Sequence, residues 1–432
     1  MPGGELRRAL SNLSLKALSL GLERGCRLLV TIAAAPVLGE AGFGRFAFAS
    51  TVTTLLALST DLGLGLWTTR ALARDRSDGA RIIRVGLTLR GLATLPYGVA
   101  VAVSVRLCAN REVRVAISLL AVAALLNALA DHAGAILRGY ERFADEARLN
   151  GARAVATALA GLTGLETSRS LAGLSAGLAA AATGGSLYGL TLIARLHPSP
   201  ATTASRALDR ALARVALGQS VPIWIGGLLS LLYFKIDTLF VRAFAGDAEL
   251  GAYAAAYKFF EGAHLLPAVV LAVAFPQLAR AHTDPDRRRR LERLLAAGLL
   301  ALGIVVGAAC FAGSSTLVAW VFGPGFHRAA TSLRLLALGV PLLYLNFGLT
   351  HFLVARDRER VTTWLALMML ALTVALDVLL IPQRQGPGAA LATVLAEIAL
   401  TACCLGVLGA RGAGARGLRP APASPRTDQT AA

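Results

Sequence analysis

Lysine is almost missing from this chain. Only Lys16, Lys235 and Lys258 occur among 432 residues, against 40 arginines. No Gly-x4-Gly-Lys-Ser/Thr is present, which counts against a pump driven by a nucleotide held in a phosphate-cradling loop. Charged residues make up 16% of the chain, less than a soluble protein of this size carries. The five cysteines, Cys26, Cys108, Cys310, Cys403 and Cys404, show no metal-ligand spacing, and most lie in apolar segments. They read as small buried hydrophobes, and neither a metal nor a cofactor is expected. The stretches between apolar segments are too short for a folded catalytic domain, which counts against a membrane glycosyltransferase, polymerase or ligase.

Apolar residues are what the chain has in excess. They amount to 56%, with a mean hydropathy of +0.63. Runs such as "LLAAGLLALGIVVGAACFAGSSTLVAWVF" (294–322) exceed the roughly 20 residues that cross a bilayer. The expected fold class is an all-α polytopic membrane protein. Its start, "MPGGELRRALSNLSLKALSL", lacks a clean apolar core followed by a small-residue cleavage site, so the first span reads as retained. Twelve spans are expected, over 12–36, 46–69, 85–105, 115–137, 154–168, 171–194, 215–241, 252–279, 294–322, 335–355, 361–381 and 388–410. The fifth is short and flanked by Arg153.

The net charge of +18 would point to nucleic acid in a soluble chain. Here arginine placement gives a better account. One set of loops and termini holds 28 arginines, the opposite set holds 9, and 3 lie within spans. Cytoplasmic loops collect Arg and Lys, so both termini are expected in the cytoplasm of a multi-pass protein of the cell inner (cytoplasmic) membrane. The 106–114 loop, with three arginines, argues the other way.

The chain also repeats itself. "GEAGFGRFAFA" (39–49) lies on "GDAELGAYAAA" (246–256) without a gap at offset 207, and "LARDRSDGAR" (72–81) lies on "LARAHTDPDR" (278–287) at offset 206. Each pair falls between equivalent spans on the same side. The halves therefore run the same way, as a parallel repeat about an axis along the membrane normal, with a substrate path expected between them. The division expected is 1–195 for one six-helix bundle, 196–214 for a cytoplasmic linker, 215–410 for the second bundle and 411–432 for a disordered cytoplasmic tail.

Charges inside spans are expensive, and they face a cavity, a partner or the membrane surface. "CRLLVTIAAAPVL" (26–38) is too short to cross alone, so Lys16, Glu23, Arg24 and Arg27 enter the membrane region. Lys16, Glu23 and Arg27 share one helical stripe, with Glu23 and Arg27 about 20° to either side of Lys16 and Arg24 beside it. A Glu23–Arg27 pair with Lys16 reaching for the surface accounts for them; so does a cationic wall on which arginine grips a diphosphate with paired hydrogen bonds. Arg90, near the start of the third span, has the same two readings. In "YFKIDTLFV" (233–241) Lys235 and Asp237 stand about 200° apart on a helix and cannot pair with each other. Lys235 lies about 9 Å from the outer end of its span, where it faces the path or snorkels outward, while Asp237 bonds a neighbouring helix. Lys258 and Glu261 are spaced to pair with each other. The acids Glu23, Asp61, Asp131, Asp237, Glu261, Asp377 and Glu397 are candidates for structural or coupling roles. They outnumber the bases at depth by one, so charge balance does not identify the cargo.

"LGEAGFGRFAFASTVTTLLALSTDLGLGLWTTRALARD", "LRGYERF" (137–143), "KIDTLFVRAFAGDAELGAYAAAYKFFEGAHLLPAVVLAVAFPQLAR" and "LIPQRQGPGAALATVLAEIAL" resemble segments of polysaccharide (O-antigen and exopolysaccharide) flippases, over nearly the whole chain. The resemblance implies membership of the MATE-like multidrug/oligosaccharidyl-lipid/polysaccharide exporter superfamily, with two six-helix bundles working by alternating access. It implies a polyprenyl-diphosphate-linked oligosaccharide as cargo, with membrane lipids and polysaccharide assembly proteins as partners; coupling to a proton or sodium gradient is an expectation that rests on the acids at depth. Asp377 departs from the asparagine frequent in the family. The alternative is a drug or cation antiporter of the same superfamily, whose cavity would be acidic.

Overall fold

The computed structural model describes residues 3–196, 209–280, 284–356 and 358–409, with side chains from Leu18 onward apart from residues 20, 275, 276, 279, 285 and 359. Most of the segment expected as a linker (197–208), the tail 411–432 and the side chain of Lys16 lie outside the described residues.

Among the described residues the chain is helical, without strands. The elements are α1 (Gly3–Asp61), α2 (Leu64–Arg74), α3 (Gly79–Leu107), α4 (Arg111–Gly139), α5 (Phe143–Ser168), α6 (Leu171–Leu196), α7 (Arg210–Ala263), α8 (Leu265–Arg280), α9 (Pro285–Phe322), α10 (Ala329–Val354) and α11 (Glu359–Gly409). Starts are marked by side-chain caps. Asn110 accepts from the backbone N–H of Glu112 at 2.8 Å, and Asp209 from that of Leu212 at 2.9 Å. Asp284 accepts from the N–H groups of Asp286 and Arg287, with Pro285 following it in the first turn.

Eight helical segments are long and apolar enough to cross a membrane among the described residues. Three of them, Gly21–Arg74, Arg210–Ala274 and Arg360–Gly409, have 54, 65 and 50 residues, enough for two crossings each. Each long segment folds back at a non-helical residue: Gly39 (φ 67°, ψ 175°), Gly246 (φ 85°, ψ −179°) and Gln385 (φ 56°, ψ −134°). The first two conformations belong to glycine, since a Cβ would be strained there. Six crossings from these, five single helices and α5 give twelve spans in two six-helix bundles. The fifth differs from expectation. α5 begins at Phe143, not 154, because Asp145 and Glu146 are buried by partners that hydropathy does not register. At the linker, α7 already begins at Arg210.

The repeat is visible in the backbone. Gly39 and Gly246, 207 positions apart, adopt nearly the same dihedrals and mark the same end of the molecule, termed here the kink end. The first-half Phe43, 1% exposed, packs its ring on Phe322 and Phe326 of the second half. Ion pairs cross the same seam: Arg45 with Asp247 at 3.3 Å, and Arg328 with Glu40 at 4.0 Å; Arg328 also lies 3.8 Å from Glu249 of its own half. Arg242 pairs with Asp247 at 2.8 Å and lies over the Phe48 ring. At the opposite, arginine-rich end, α3 meets the start of α7 through Arg81 and Asp209, and Trp224 donates its indole N–H to Leu58 O at 2.8 Å.

Candidate functional site

A cavity of 820 Å³ lies in the first half, bounded by α1 to α5, with Leu178 from α6 and Leu231 from α7. Its wall carries Arg27, Arg90, Arg138 and Arg153 together with Glu23, Asp61 and Asp131. Threonines, Ser50 and Asn127 supply neutral polar groups. Each arginine has a carboxylate. Arg27 and Glu23 meet at 2.9 Å, one turn apart on α1. Arg90 is 5% exposed, pairs with Asp61 and donates to Ala128 O at 2.6 Å. Arg153 bonds Asp131 at 2.7 Å and Asn127 at 3.1 Å. Arg138 pairs at 2.6 Å with Glu146, itself nearly buried. A guanidinium has five donors, so pairing with one carboxylate leaves N–H groups for a second anion.

One turn beyond Leu231, α7 presents Lys235. Its ammonium is held by Glu261 and sits 5.9 Å from the Tyr257 ring centroid. Lys258 reaches the other oxygen of Glu261 at 2.7 Å. Two ammonium groups thus share one carboxylate, leaving a net positive cluster that is partly exposed.

The acids of the second half are grouped differently. Asp237, 3% exposed, accepts from Tyr253 Oη and from the backbone N–H of Thr238. Glu397, also buried, accepts from Asn346 Nδ2 at 2.7 Å and Tyr233 Oη at 3.2 Å. Asp377 is fully buried, and both its carboxylate oxygens lack a partner, as does Thr373 Oγ1. A small void lined by Tyr233, Phe234, Asp237, Tyr257, Thr373, Thr393 and Glu397 joins this region. Among the described residues no group of three or more His, Cys, Asp or Glu side chains is placed to hold a metal ion.

The structure thus gathers Glu23, Arg27, Asp61 and Arg90 into one wall. It pairs Lys235, Lys258 and Glu261 elsewhere, and it separates Asp237, Asp377 and Glu397 into the second half. Arg24 is exposed and does not line this cavity. Lys235 neither stands alone nor reaches for the surface, because Glu261, 26 residues away, satisfies it. Arg138 and Arg153 were not singled out from the sequence, since both fall in a charged stretch that reads as a loop. The matching acids at Asp131 and Glu146 were the available signal.

The family model described as "Polysaccharide biosynthesis protein" matches residues 9–282. A search of curated proteins finds no match. Among solved structures, an inward-facing multidrug resistance MATE family transporter of the MOP superfamily superposes with a TM-score of 0.72 at 14% identity, covering 90% of this chain and 94% of the other. The lipid II flippase MurJ in an inward closed conformation gives 0.71 at 14% identity, covering 91% and 87%. An outward-facing MATE family transporter gives 0.62 at 13% identity, covering 94% and 96%. These likenesses show the fold alone, an all-helical multi-pass arrangement. The sequence match over more than half of the chain shows the family: this chain belongs to the polysaccharide biosynthesis protein family.

Proposed function

We propose that this membrane transporter flips a polyprenyl-diphosphate-linked oligosaccharide by alternating access, with its arginine-rich end and both termini in the cytoplasm. The observation that carries the reading is the four-arginine wall of the 820 Å³ cavity, placed on the far side of a sealed kink end. A diphosphate cannot cross hydrocarbon unaided, because its charges would lose their water. In this wall it exchanges water for guanidinium N–H groups already held in place. The paired carboxylates keep the grip moderate. They hold the arginines when the cavity is empty and compete with the cargo for them, so the cargo can leave. The wall's four arginines are balanced by its three acids and by Glu146 behind Arg138, so the net positive charge comes from the Lys235–Glu261–Lys258 cluster beyond it.

Coupling to a gradient is part of the same proposal. A buried carboxylate with two unpartnered oxygens is costly as a bare anion, so Asp377 with Thr373 beside it suits a bound proton, exchanged as the halves move. Sodium is the alternative coupling ion. No catalytic step is assigned to any residue.

The antiporter reading is supported by the acids Glu23, Asp61 and Asp131 in the same wall. Sealed vesicles carrying the protein separate the two readings. Labelled lipid-linked oligosaccharide loaded in one leaflet should become accessible to an impermeant glycan-degrading enzyme on the other side. Gradient-dependent movement of an organic cation, with no movement of the sugar lipid, would overturn the flippase reading.

A further inference from the structure

A second cavity, of 440 Å³, lies in the second half between α7, α10 and α11, with His264 from the junction of α7 and α8, on the other side of α7 from the arginine wall. Its mouth is set by the chain's own geography. Thr362 and Thr363 lie in the first turn of α11, and His351 in the last turn of α10, so both belong to the arginine-rich end. Its floor is near mid-span, at Tyr233 and Glu397. Thr350, Asn346, Ser230 and His264 line the way between, among Phe234, Phe347, Met369 and leucines.

Two details bear on what occupies it. His264 Nδ1 lies 3.1 Å from Phe260 O and His351 Nδ1 lies 2.7 Å from Phe347 O. A carbonyl only accepts, so in both rings Nδ1 carries the hydrogen and Nε2 is the proton-accepting atom. His264 Nε2 is buried without a protein partner in a cavity wide enough for water. The floor is also a partition. Tyr233, Phe234 and Glu397 line both this cavity and the small void that contains Asp237. The hydroxyl of Tyr233 closes on Glu397, and Asp237 stands one turn beyond Tyr233 on α7. The titratable groups facing Glu397 are Tyr233 and Asp237 from α7, Tyr257 beyond the α7 kink, His264 capping the end of α7 and Cys404 two turns on in α11; its other close partner is the amide of Asn346 from α10.

We propose that this cavity is a water-filled proton passage linking the arginine-rich side to Glu397, separate from the cargo path, with His264 as its relay. The proposal rests on the coupling reading above. A proton bound at Glu397 passes to cavity water, is taken up at His264 Nε2, and leaves through water past His351 and the threonine mouth. The carboxylate ends unprotonated and the imidazole neutral, so nothing is consumed. Imidazoles along the wall suit a proton better than a hard cation, which takes oxygen ligands.

Two measurements test it. In a chain whose five cysteines are replaced by alanine, single cysteines at Thr363, Thr350 and Ser230 should react with a charged, membrane-impermeant thiol reagent from the arginine-rich side only. Failure at Thr350 and Ser230 overturns the passage whatever the coupling. In proteoliposomes under an imposed pH gradient, followed with an internal pH dye, Glu397→Gln and His264→Ala should slow proton movement by on the order of a hundredfold or more. Added imidazole should restore the rate for His264→Ala, which lost packing would not allow. Loss of proton movement in Asp237→Asn with none in Glu397→Gln or His264→Ala overturns the passage alone. Unchanged proton movement in all three and in Asp377→Asn overturns the coupling reading along with it.

Discussion

Gly44 and Gly251 meet reciprocally across the seam between the halves. A Cβ on Gly44 would lie 1.8 Å from the carbonyl oxygen of Asp247, and one on Gly251 would lie 1.9 Å from that of Glu40. The same offset of 207 relates Gly44 to Gly251 and Glu40 to Asp247, so each glycine touches the counterpart of its own neighbour. This is the self-complementary contact of a two-fold axis, made here within one chain. It also brings two helix backbones together where any side chain would hold them apart.

Gly44→Ala and Gly251→Ala should therefore loosen the kink end without unfolding either bundle. Forcing a methyl group into a packed seam costs about 1–3 kcal/mol, which moves the closed-to-open ratio by roughly five- to a hundredfold. Cysteines placed at Ala41 and Ala248, which leave the ion pairs of that end intact, should react faster with an impermeant reagent from the kink-end side in either variant. Unchanged reactivity would mean that the ion pairs of Arg45 and Arg328 close that end without the glycine contact.

The cavity wall makes a sharper prediction about Arg27 and Arg24. Both sit near the start of the first span, but only Arg27 lines the cavity. Arg27→Gln should reduce transport strongly, and Arg24→Gln should leave most of it. Protein levels should be similar for both, since an exposed pair such as Arg27–Glu23 contributes at most about 1 kcal/mol. Equal loss in the two variants would assign both residues to helix packing or to the membrane surface. Arg153→Gln extends the test to a residue that sequence reading passed over.

How far the sequence carried the argument can be judged at such residues. The twelve spans and the repeat were legible because both rest on chain-local signals: apolar runs, glycines and a fixed offset. The glycine seam was present in the same alignment as Gly44 over Gly251, although nothing in the alignment said that the two touch. Pairings between helices were not legible. Lys235 finds Glu261 across 26 residues and Arg153 finds Asp131 across 22, separations with no periodic signature. Arg138 and Arg153 were read as loop because hydropathy scores a charge by type and ignores the acid that partners it. Glu23 and Arg27, one turn apart, were visible for the opposite reason.

At the arginine-rich end, Asp209 gives a pH-dependent prediction. Its carboxylate is held below the usual range first by the backbone N–H of Leu212 and then by Arg81. A lowered pKa in the folded state stabilises the fold above the unfolded value of about 3.9 and loses that contribution as pH falls through the folded value. Asp209→Ala should thus unfold at a lower temperature than the parent at neutral pH, with the gap closing below about pH 4. Asp209→Asn should fall between the two, keeping a cap for α7 while losing the charge for Arg81. A gap that persists undiminished in acid would assign the effect to something other than the carboxylate's charge.

The two lysines of the second half share a single counter-charge, and that sharing is testable. Glu261 accepts from Lys235 with one oxygen and from Lys258 with the other. Glu261→Gln would leave two ammonium groups facing a neutral amide in a partly buried place, where like charges repel. The variant should be less stable than either Lys235→Gln or Lys258→Gln, each of which leaves one complete pair. Adding Lys258→Gln to Glu261→Gln should recover part of the loss by removing the repulsion. Transport should separate the lysines. Lys235 continues the α7 face that carries Leu231 at the cavity, so Lys235→Arg should keep more transport than Lys235→Gln, while either change at Lys258 should matter less. Thermal unfolding of the purified variants, read beside transport in vesicles, checks both parts. Equal transport in all the Lys235 and Lys258 variants would make the cluster an anchor between the two arms of α7 on either side of Gly246, with no share in the cargo path.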